Sequence, residues 1–170
     1  GYNKSWKGSG TPKEILHQGE RILAAGDGTY CCGFTFTVAM DVASRRGLFT
    51  DATADDIRKF QKNWYGANDD SAETQCVFAA EALGIGHGVP LDEAAPGDFI
   101  QFWRTSKSGH SVVLLELVRR GDDIVGIKYR SSQGSTDGIG NVTEYFAGTS
   151  GREKGILRQR TYVCRLNNDG

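Results

Sequence analysis

Two adjacent cysteines and one histidine are the residues of this sequence best suited to nucleophilic chemistry. Cys31 and Cys32 open an apolar segment that predicts a helix, with Thr29 as its N-cap and Gly47 just beyond its end. A helix N-terminus favours the thiolate, which is the form of cysteine that attacks. His110 begins a predicted strand, where its imidazole can face that terminus and act as a base. A second interpretation is that both cysteines are small core residues.

The length and composition indicate one folded domain over residues 1–170. A chain of 170 residues can bury a sizeable core. Residues 1–10 are rich in Gly, Ser and Lys and predict an extended arm. The net charge of −1 gives no reason to expect a nucleic acid or an anionic membrane as partner. No apolar run is long enough to span a bilayer, and no signal peptide is recognised in this fragment. We expect a monomer.

Metal or cofactor chemistry has no signature in this sequence. The three histidines show no metal-ligand spacing and no C-x-x-C pair occurs, so we expect no metal and no cofactor. The other two of the four cysteines, Cys76 and Cys164, fall on apolar faces of predicted elements and are expected in the core. A disulfide between these two is compatible with the sequence, but their spacing gives it no support.

The predicted elements change along the chain from helices to strands. Helices are predicted over 14–25, over the segment that starts at Cys31, and over 53–65 and 72–83. After a loop at 84–90, strands are predicted over 99–103, 110–119, 124–132 and 156–166, with an irregular segment at 133–155 that holds one short stretch at 142–146. N-terminal helices followed by an antiparallel meander indicate an α+β fold.

Three short segments occur in an order that is known from one enzyme family. They are Tyr30-Cys31-Cys32-Gly33-Phe34, then Pro96-Gly97-Asp98-Phe99-Ile100-Gln101-Phe102, then Gly109-His110-Ser111-Val112-Val113-Leu114. They resemble the Asp-Cys-Ser-Gly-Phe, Pro-Gly-Asp and His-Val-Gly-Ile motifs of the NlpC/P60 cysteine peptidases, within the papain-like group that includes CHAP amidases. The resemblance covers roughly residues 20–133. It implies a papain-like fold with the catalytic cysteine at a helix N-terminus packed on an antiparallel sheet.

The resemblance also implies roles for individual residues. It makes Cys31 the nucleophile, with Cys32 where the family has Ser, and His110 the base. The family's third residue is a polar side chain on the strand after the histidine strand. Gln133 is our first choice, because its amide oxygen can accept the imidazole N–H, and Ser131 is the second.

The surroundings of the nucleophile depart from the family's pattern. Tyr30 replaces the family's Asp, and the upstream Tyr of many members has no counterpart within 19–28. The oxyanion donors that we can name are the backbone N–H of Cys31 and the hydroxyl of Tyr30. We expect Tyr30, Ser131 and Trp103 to contact the substrate.

The function implied by the resemblance is a thiol peptidase or amidase that cleaves amide bonds, typically in peptides of the bacterial cell wall. A secreted or cell-envelope location would follow. Acyl transfer and a toxin amidase use the same site and stay open, as does a non-catalytic cell-wall-binding domain of the same fold. The lecithin–retinol acyltransferase branch places His before Cys, and the order here argues against it.

Overall fold

The computed structural model describes residues 1–149 and 151–170. Within these ranges the chain forms three α-helices, which are α1 (Cys31–Arg45), α2 (Ala54–Trp64) and α3 (Cys76–Leu83). The strands of the described chain are β1 (Ile15–His17), β2 (Glu20–Leu23), β3 (Gly86–Val89), β4 (Phe99–Arg104), β5 (Gly109–Arg120), β6 (Asp123–Gln133), β7 (Gly138–Tyr145) and β8 (Ile156–Leu166). Helices and an antiparallel sheet confirm the predicted α+β class.

The main sheet has six antiparallel strands in the order β3-β8-β4-β5-β6-β7. The hairpins β4–β5, β5–β6 and β6–β7 form a meander, and β8 returns to pair with both β3 and β4. Strands β1 and β2 form a separate hairpin. In the part of the chain that is described, no helix combines the length and the apolar character needed to cross a membrane.

Two apolar clusters lie on opposite faces of the sheet. Neighbouring residues of β4 show this division, because Phe99 belongs to the cluster with the three helices and Ile100 to the cluster made by strands. Helix α1 contributes Phe36 and Met40 to the first cluster, where both are buried. The apolar composition of α1 therefore reflects its position between the sheet and the other helices.

The observed starts and ends of the helices agree in part with those predicted from the sequence. Helix α2 starts with a capping box, in which the Thr53 hydroxyl accepts from Asp56 N–H and the Asp56 carboxylate accepts from Thr53 N–H. Gly47, just after α1, has φ +71°, a left-handed conformation that glycine adopts readily. Helix α3 begins at Cys76 rather than at 72, because Gln75 has φ +44° and interrupts helical geometry there.

The predicted helix over 14–25 is wrong, since this segment forms the β1–β2 hairpin. Gln18 and Gly19, with φ +52° and +79°, make the turn, and a helix cannot continue through two left-handed residues. Ile15 and His17 are buried while Leu16 is exposed, which is the alternation of a strand. The predicted loop 84–90 contains strand β3, and the irregular segment 133–155 contains strand β7.

Cys76 and Cys164 lie in the core, as predicted, and both thiols are free. Cys76 starts α3, and Cys164 lies on β8 opposite Phe99. A hydrogen bond with Cys76, together with burial, raises the pKa of the Cys164 thiol. The Cys164 thiol therefore lacks the thiolate character of a nucleophile.

Candidate active site

Cys31 is the first residue of α1 and is half-buried at its N-terminus. The N-cap is Tyr30, which makes no side-chain cap bond. The predicted N-cap, Thr29, is wrong, because its hydroxyl bonds with Ser132 Oγ at 2.8 Å instead. First-turn N–H groups have no partner inside their own helix, so the N–H of Cys31 can donate to a ligand.

His110 and Gln133 are brought together by strands β5 and β6. Nε2 of His110 lies 3.1 Å from Oε1 of Gln133. An amide oxygen can only accept a hydrogen bond, so this contact places the proton on Nε2. The nitrogen that remains for the Cys31 thiol is Nδ1.

The amide of Gln133 is itself held in one orientation. Its Nε2 donates to the carbonyl oxygens of Ser131 and Gly140, both at 3.4 Å, and to the hydroxyl of Thr136. Carbonyl oxygens cannot donate, so the nitrogen of the amide must point towards them. Oε1 is thereby directed to His110, and the Gln133 side chain fixes the tautomer of the imidazole.

The His110 ring is packed between two aromatic rings, and a half-buried ion pair holds one of them. The ring centroids of Phe102 and Tyr129 lie 5.7 and 5.4 Å from that of His110. The Tyr129 hydroxyl donates to Glu144 at 2.7 Å, and Arg104 binds the same carboxylate through two nitrogens. Burial raises the pKa of Glu144, but the bonds from Arg104 and Tyr129 outweigh it and lower the pKa overall. A carboxylate thus stays ionised behind the imidazole.

The pKa values of the two adjacent thiols are shifted in opposite directions. The hydrogen bond from the Cys32 thiol lowers the pKa of Cys31 most, and the bond and charge of His110 and the backbone N–H of Ser111 lower it further, against the effect of burial. The same bond between the thiols, together with burial, raises the pKa of Cys32. These directions favour Cys31 as the thiolate of the pair, with Cys32 as the protonated donor to it.

A buried polar network fixes the distance between the helix and the histidine strand. The hydroxyls of Thr35, one turn after Cys31, and Ser111, next to His110, lie 2.6 Å apart. Trp64 Nε1 donates to Thr35 Oγ1 at 3.0 Å, which ties α2 to the same point. Buried, satisfied bonds of this kind hold two elements in a single arrangement.

One cavity of about 730 Å³ is lined by Cys31, Cys32, His110 and Gln133. Its wall contains the aromatic side chains of Tyr2, Trp6, Tyr30, Tyr65 and Trp103. The charged side chains of the wall, within the described residues, are the cations Arg104 and Lys107. The cavity has the size of sites that hold drug-sized ligands.

Gln101 is a cavity residue that lies within the second motif segment but was given no role from the sequence. It is 2% exposed, and its Oε1 has no hydrogen-bond partner among the described residues. An orphaned buried acceptor costs about 1–3 kcal/mol, which a ligand N–H would recover. A polar residue within the apolar run 99–103 is the signal that could have identified it. Glu144 gave no such signal, because the short stretch predicted at 142–146 does not indicate a contact with the histidine strand.

The effect of replacing Cys32 on the pKa of Cys31 should depend on whether the new side chain can donate a hydrogen bond to the Cys31 sulfur. Cys32→Ala removes the thiol that lowers the pKa of Cys31 most, so that pKa should rise towards the ordinary value of about 8.5. Cys32→Ser keeps a donor and should hold most of the lowering. The pH dependence of iodoacetamide alkylation of Cys31 measures both. A Cys32→Ser profile shifted as far as that of Cys32→Ala would contradict the role of the hydrogen bond.

For a reaction in which His110 is the base, Gln133→Ala should lower kcat about tenfold. This is less than the ~10²–10⁴-fold contribution of a base, because the imidazole loses its orientation but is still present. Ser131→Ala is the matched control on the same strand. The Ser131 hydroxyl donates to Ser111 O at 2.6 Å and is fully buried, so this change should lower the melting temperature and leave kcat per folded molecule intact. A larger kcat loss for Ser131→Ala than for Gln133→Ala would reverse the assignment.

The structure brings Cys31, His110 and Gln133 together, with Tyr30 and Trp103 on the cavity wall. It does not bring Ser131 to that wall. The Tyr30 hydroxyl, which we expected to face an oxyanion, donates to the carbonyl of Gly8. In comparisons with protein-family models, with curated proteins and with solved structures, nothing matches this chain.

Proposed function

We propose that this protein is a cysteine hydrolase that cleaves amide bonds. Cys31 is the nucleophile, His110 is the general acid and base, and Gln133 orients the imidazole. The observation that carries the proposal is the alignment of a low-pKa thiol at a helix N-terminus with an imidazole whose far nitrogen is held by an amide oxygen. A thiolate, a base and an orienting group are the three parts that nucleophilic catalysis by cysteine needs.

Acylation starts from the Cys31 thiolate and a protonated His110. The sulfur attacks the carbonyl carbon, and the oxygen that becomes negative is stabilised by the backbone N–H of Cys31 and the positive end of the helix dipole. His110 then gives its Nδ1 proton to the leaving nitrogen. The C–N bond breaks, the amine departs and a thioester on Cys31 remains.

Deacylation uses the same groups in reverse order. Neutral His110 accepts a proton from water at Nδ1, and the hydroxide attacks the thioester carbon. The C–S bond breaks, the carboxylic acid leaves and the thiolate of Cys31 is regenerated. Throughout, Gln133 keeps the Nε2 proton on the far side of the ring.

We propose that the substrates are peptides of the bacterial cell wall. The support is the resemblance of three segments, around Cys31, Pro96 and His110, to NlpC/P60 peptidases. A papain-like arrangement of the fold is part of this proposal. Arg104 is neutralised by Glu144, so the cation of the cavity wall that suits peptides with carboxylates is Lys107.

The test is incubation of the protein with purified peptidoglycan fragments in ¹⁸O-labelled water, with products identified by mass. Hydrolysis places one labelled oxygen in the new carboxyl group. Acyl transfer to an amine leaves no label and gives a larger product instead. Cys31→Ala is the control, and a wild-type protein that gives no product would reject the enzyme in favour of a binding domain.

A further inference from the structure

The arm formed by residues 1–10 takes no part in the chemistry described above, yet it reaches the site. Two of its side chains, Tyr2 and Trp6, line the same cavity as Cys31 and His110. The arm also lies outside the three segments that resemble cysteine peptidases. A role for the arm must therefore be argued from its own contacts.

Trp6 is an exposed but fixed aromatic side chain. It is 68% exposed, and Leu16, at 51%, is the other exposed large apolar side chain of the described chain. Exposure alone carries no functional meaning, because much of any protein surface is apolar. The indole of Trp6, however, donates from Nε1 to the Tyr2 hydroxyl at 2.6 Å. Its backbone has φ +53°, which is unfavourable for a residue with a side chain.

The loop that carries Trp6 is closed by Asn3. The side-chain amide of Asn3 donates to Lys7 O at 2.8 Å and its Oδ1 accepts from Ser5 N–H at 3.1 Å. The backbone N–H of Asn3 donates to Thr29 O at 2.9 Å, two residues before Cys31. The loop is thus held both to itself and to the entrance of α1.

Residues 8–10 dock the arm on the start of the catalytic helix. The Gly8 carbonyl accepts from the Tyr30 hydroxyl, and the Gly10 carbonyl accepts from Tyr30 N–H at 3.2 Å. The Ser9 carbonyl accepts from the Tyr65 hydroxyl at 2.5 Å. Helix and arm approach so closely that a β-carbon at Gly33 would lie 2.3 Å from the Gly10 carbonyl. The arm therefore belongs to the framework of the site.

We infer that the arm is one wall of the substrate cleft and that Trp6 is a specificity-determining residue. Its indole packs against the part of a peptide that extends beyond the cleaved amide. This inference rests on the proposed amidase function and names the substrate class within it, which is peptides longer than the two residues flanking the cleaved bond. Cys31 is half-buried while Trp6 is exposed, so the indole stands at the rim of the cavity and is reached by an extended chain.

The test compares Trp6→Ala with Leu16→Ala, which removes the other exposed apolar side chain, one that does not line the cavity. Each variant is assayed on a peptidoglycan stem pentapeptide and on a dipeptide amide that spans only the bond that wild type cleaves. Trp6→Ala should raise KM for the pentapeptide about tenfold and leave kcat and the dipeptide kinetics unchanged, because uniform binding is lost. Leu16→Ala should behave as wild type on both, and both variants should melt at the wild-type temperature.

A binding measurement gives a readout that needs no turnover. Calorimetry with the pentapeptide should show about tenfold weaker binding to the Cys31→Ala, Trp6→Ala double variant than to Cys31→Ala, and Trp6→Phe should restore most of the affinity. The inference is overturned if Cys31→Ala and the double variant bind the pentapeptide with equal affinity, or if neither binds it. So does a loss of dipeptide turnover as large as the pentapeptide loss, because that would indicate a purely structural role.

Failure of this inference and failure of the hydrolase proposal give different results. If wild type cleaves no peptide while pentapeptide binding depends on Trp6, the hydrolase proposal fails. The inference that the arm and Trp6 contact the peptide is then retained. If wild type cleaves the pentapeptide and Trp6→Ala matches Leu16→Ala, the inference fails alone.

Discussion

Cys31→Ala should abolish amide hydrolysis, with a loss of up to about 10⁶-fold in kcat, the size seen when a catalytic triad loses its nucleophile. The thioester cannot form without the sulfur, and the neighbouring Cys32 cannot replace it. Successive side chains on a helix diverge by about 100°, so only one of the two can meet His110. The thiol of Cys32 is also the less acidic one, because its bond to Cys31 and its burial raise its pKa.

The measurement is turnover of peptidoglycan fragments, together with limiting alkylation followed by mass mapping of the labelled cysteine. Cys76→Ala is the matched control, since it removes a buried thiol that lies outside the cavity. It should lower the melting temperature modestly and leave kcat per folded molecule unchanged. Rapid alkylation and retained activity in Cys31→Ala would show that the nucleophile is another residue.

His110→Ala should lower kcat by about 10²–10⁴-fold or more, because it removes the group that protonates the leaving amine and activates water. The pKa of Cys31 should rise as well. His110 lowers that pKa through both a hydrogen bond and its charge, and the variant removes both. His110→Ala should nevertheless cost more activity than the smaller thiolate fraction alone explains, because the proton donor and acceptor is also lost.

Comparing the loss of turnover with the shift of the Cys31 pKa separates proton transfer by His110 from its effect on thiolate formation. The pH profile of Cys31 alkylation reports the thiolate, and the turnover of peptide reports the whole reaction. His87→Ala is the control, because His87 is exposed on the edge strand β3 and outside the cavity. If the loss of turnover in His110→Ala were accounted for by the shift of the Cys31 pKa alone, His110 would be an electrostatic partner and not the base.

The sequence predicted most closely those elements whose local signals agree with their place in the fold. Strand β8 was predicted with its observed ends, 156–166, and α2 was predicted from the helix-start signal at Thr53. The helix prediction for 14–25 failed because Pro12 and Glu14 resemble a helix start. The turn at Gln18 and Gly19 makes the segment a hairpin instead. Strand β7 was predicted only as a short stretch at 142–146. Its first half was missed because Gly138 and Gly140 have low strand propensity and are held in the strand by pairing with β6.

Within the site, side chains on motifs were predictable and side chains brought in by tertiary structure were not. Cys31 and His110 stand in recognisable segments, and Gln133 followed from the alternation of a strand. Glu144 and Trp6 have no local signature, since their relation to the cavity depends on β7 pairing and on the docking of the arm. Gln101 is intermediate, because a glutamine in an apolar strand is visible in the sequence even though its missing partner is not.

The position of β8 in the sheet has a consequence for synthesis on the ribosome. β8 is the last strand of the chain and lies between β3 and β4, so neither of these strands completes its pairing until residues 156–166 have emerged. Pairing across such a long stretch of sequence is also slow, because loop closure costs entropy before contacts form. We expect nascent chains that stop before Ile156 to leave β3 and one edge of β4 without their partner strand, while β4, β5, β6 and β7 can already pair with one another.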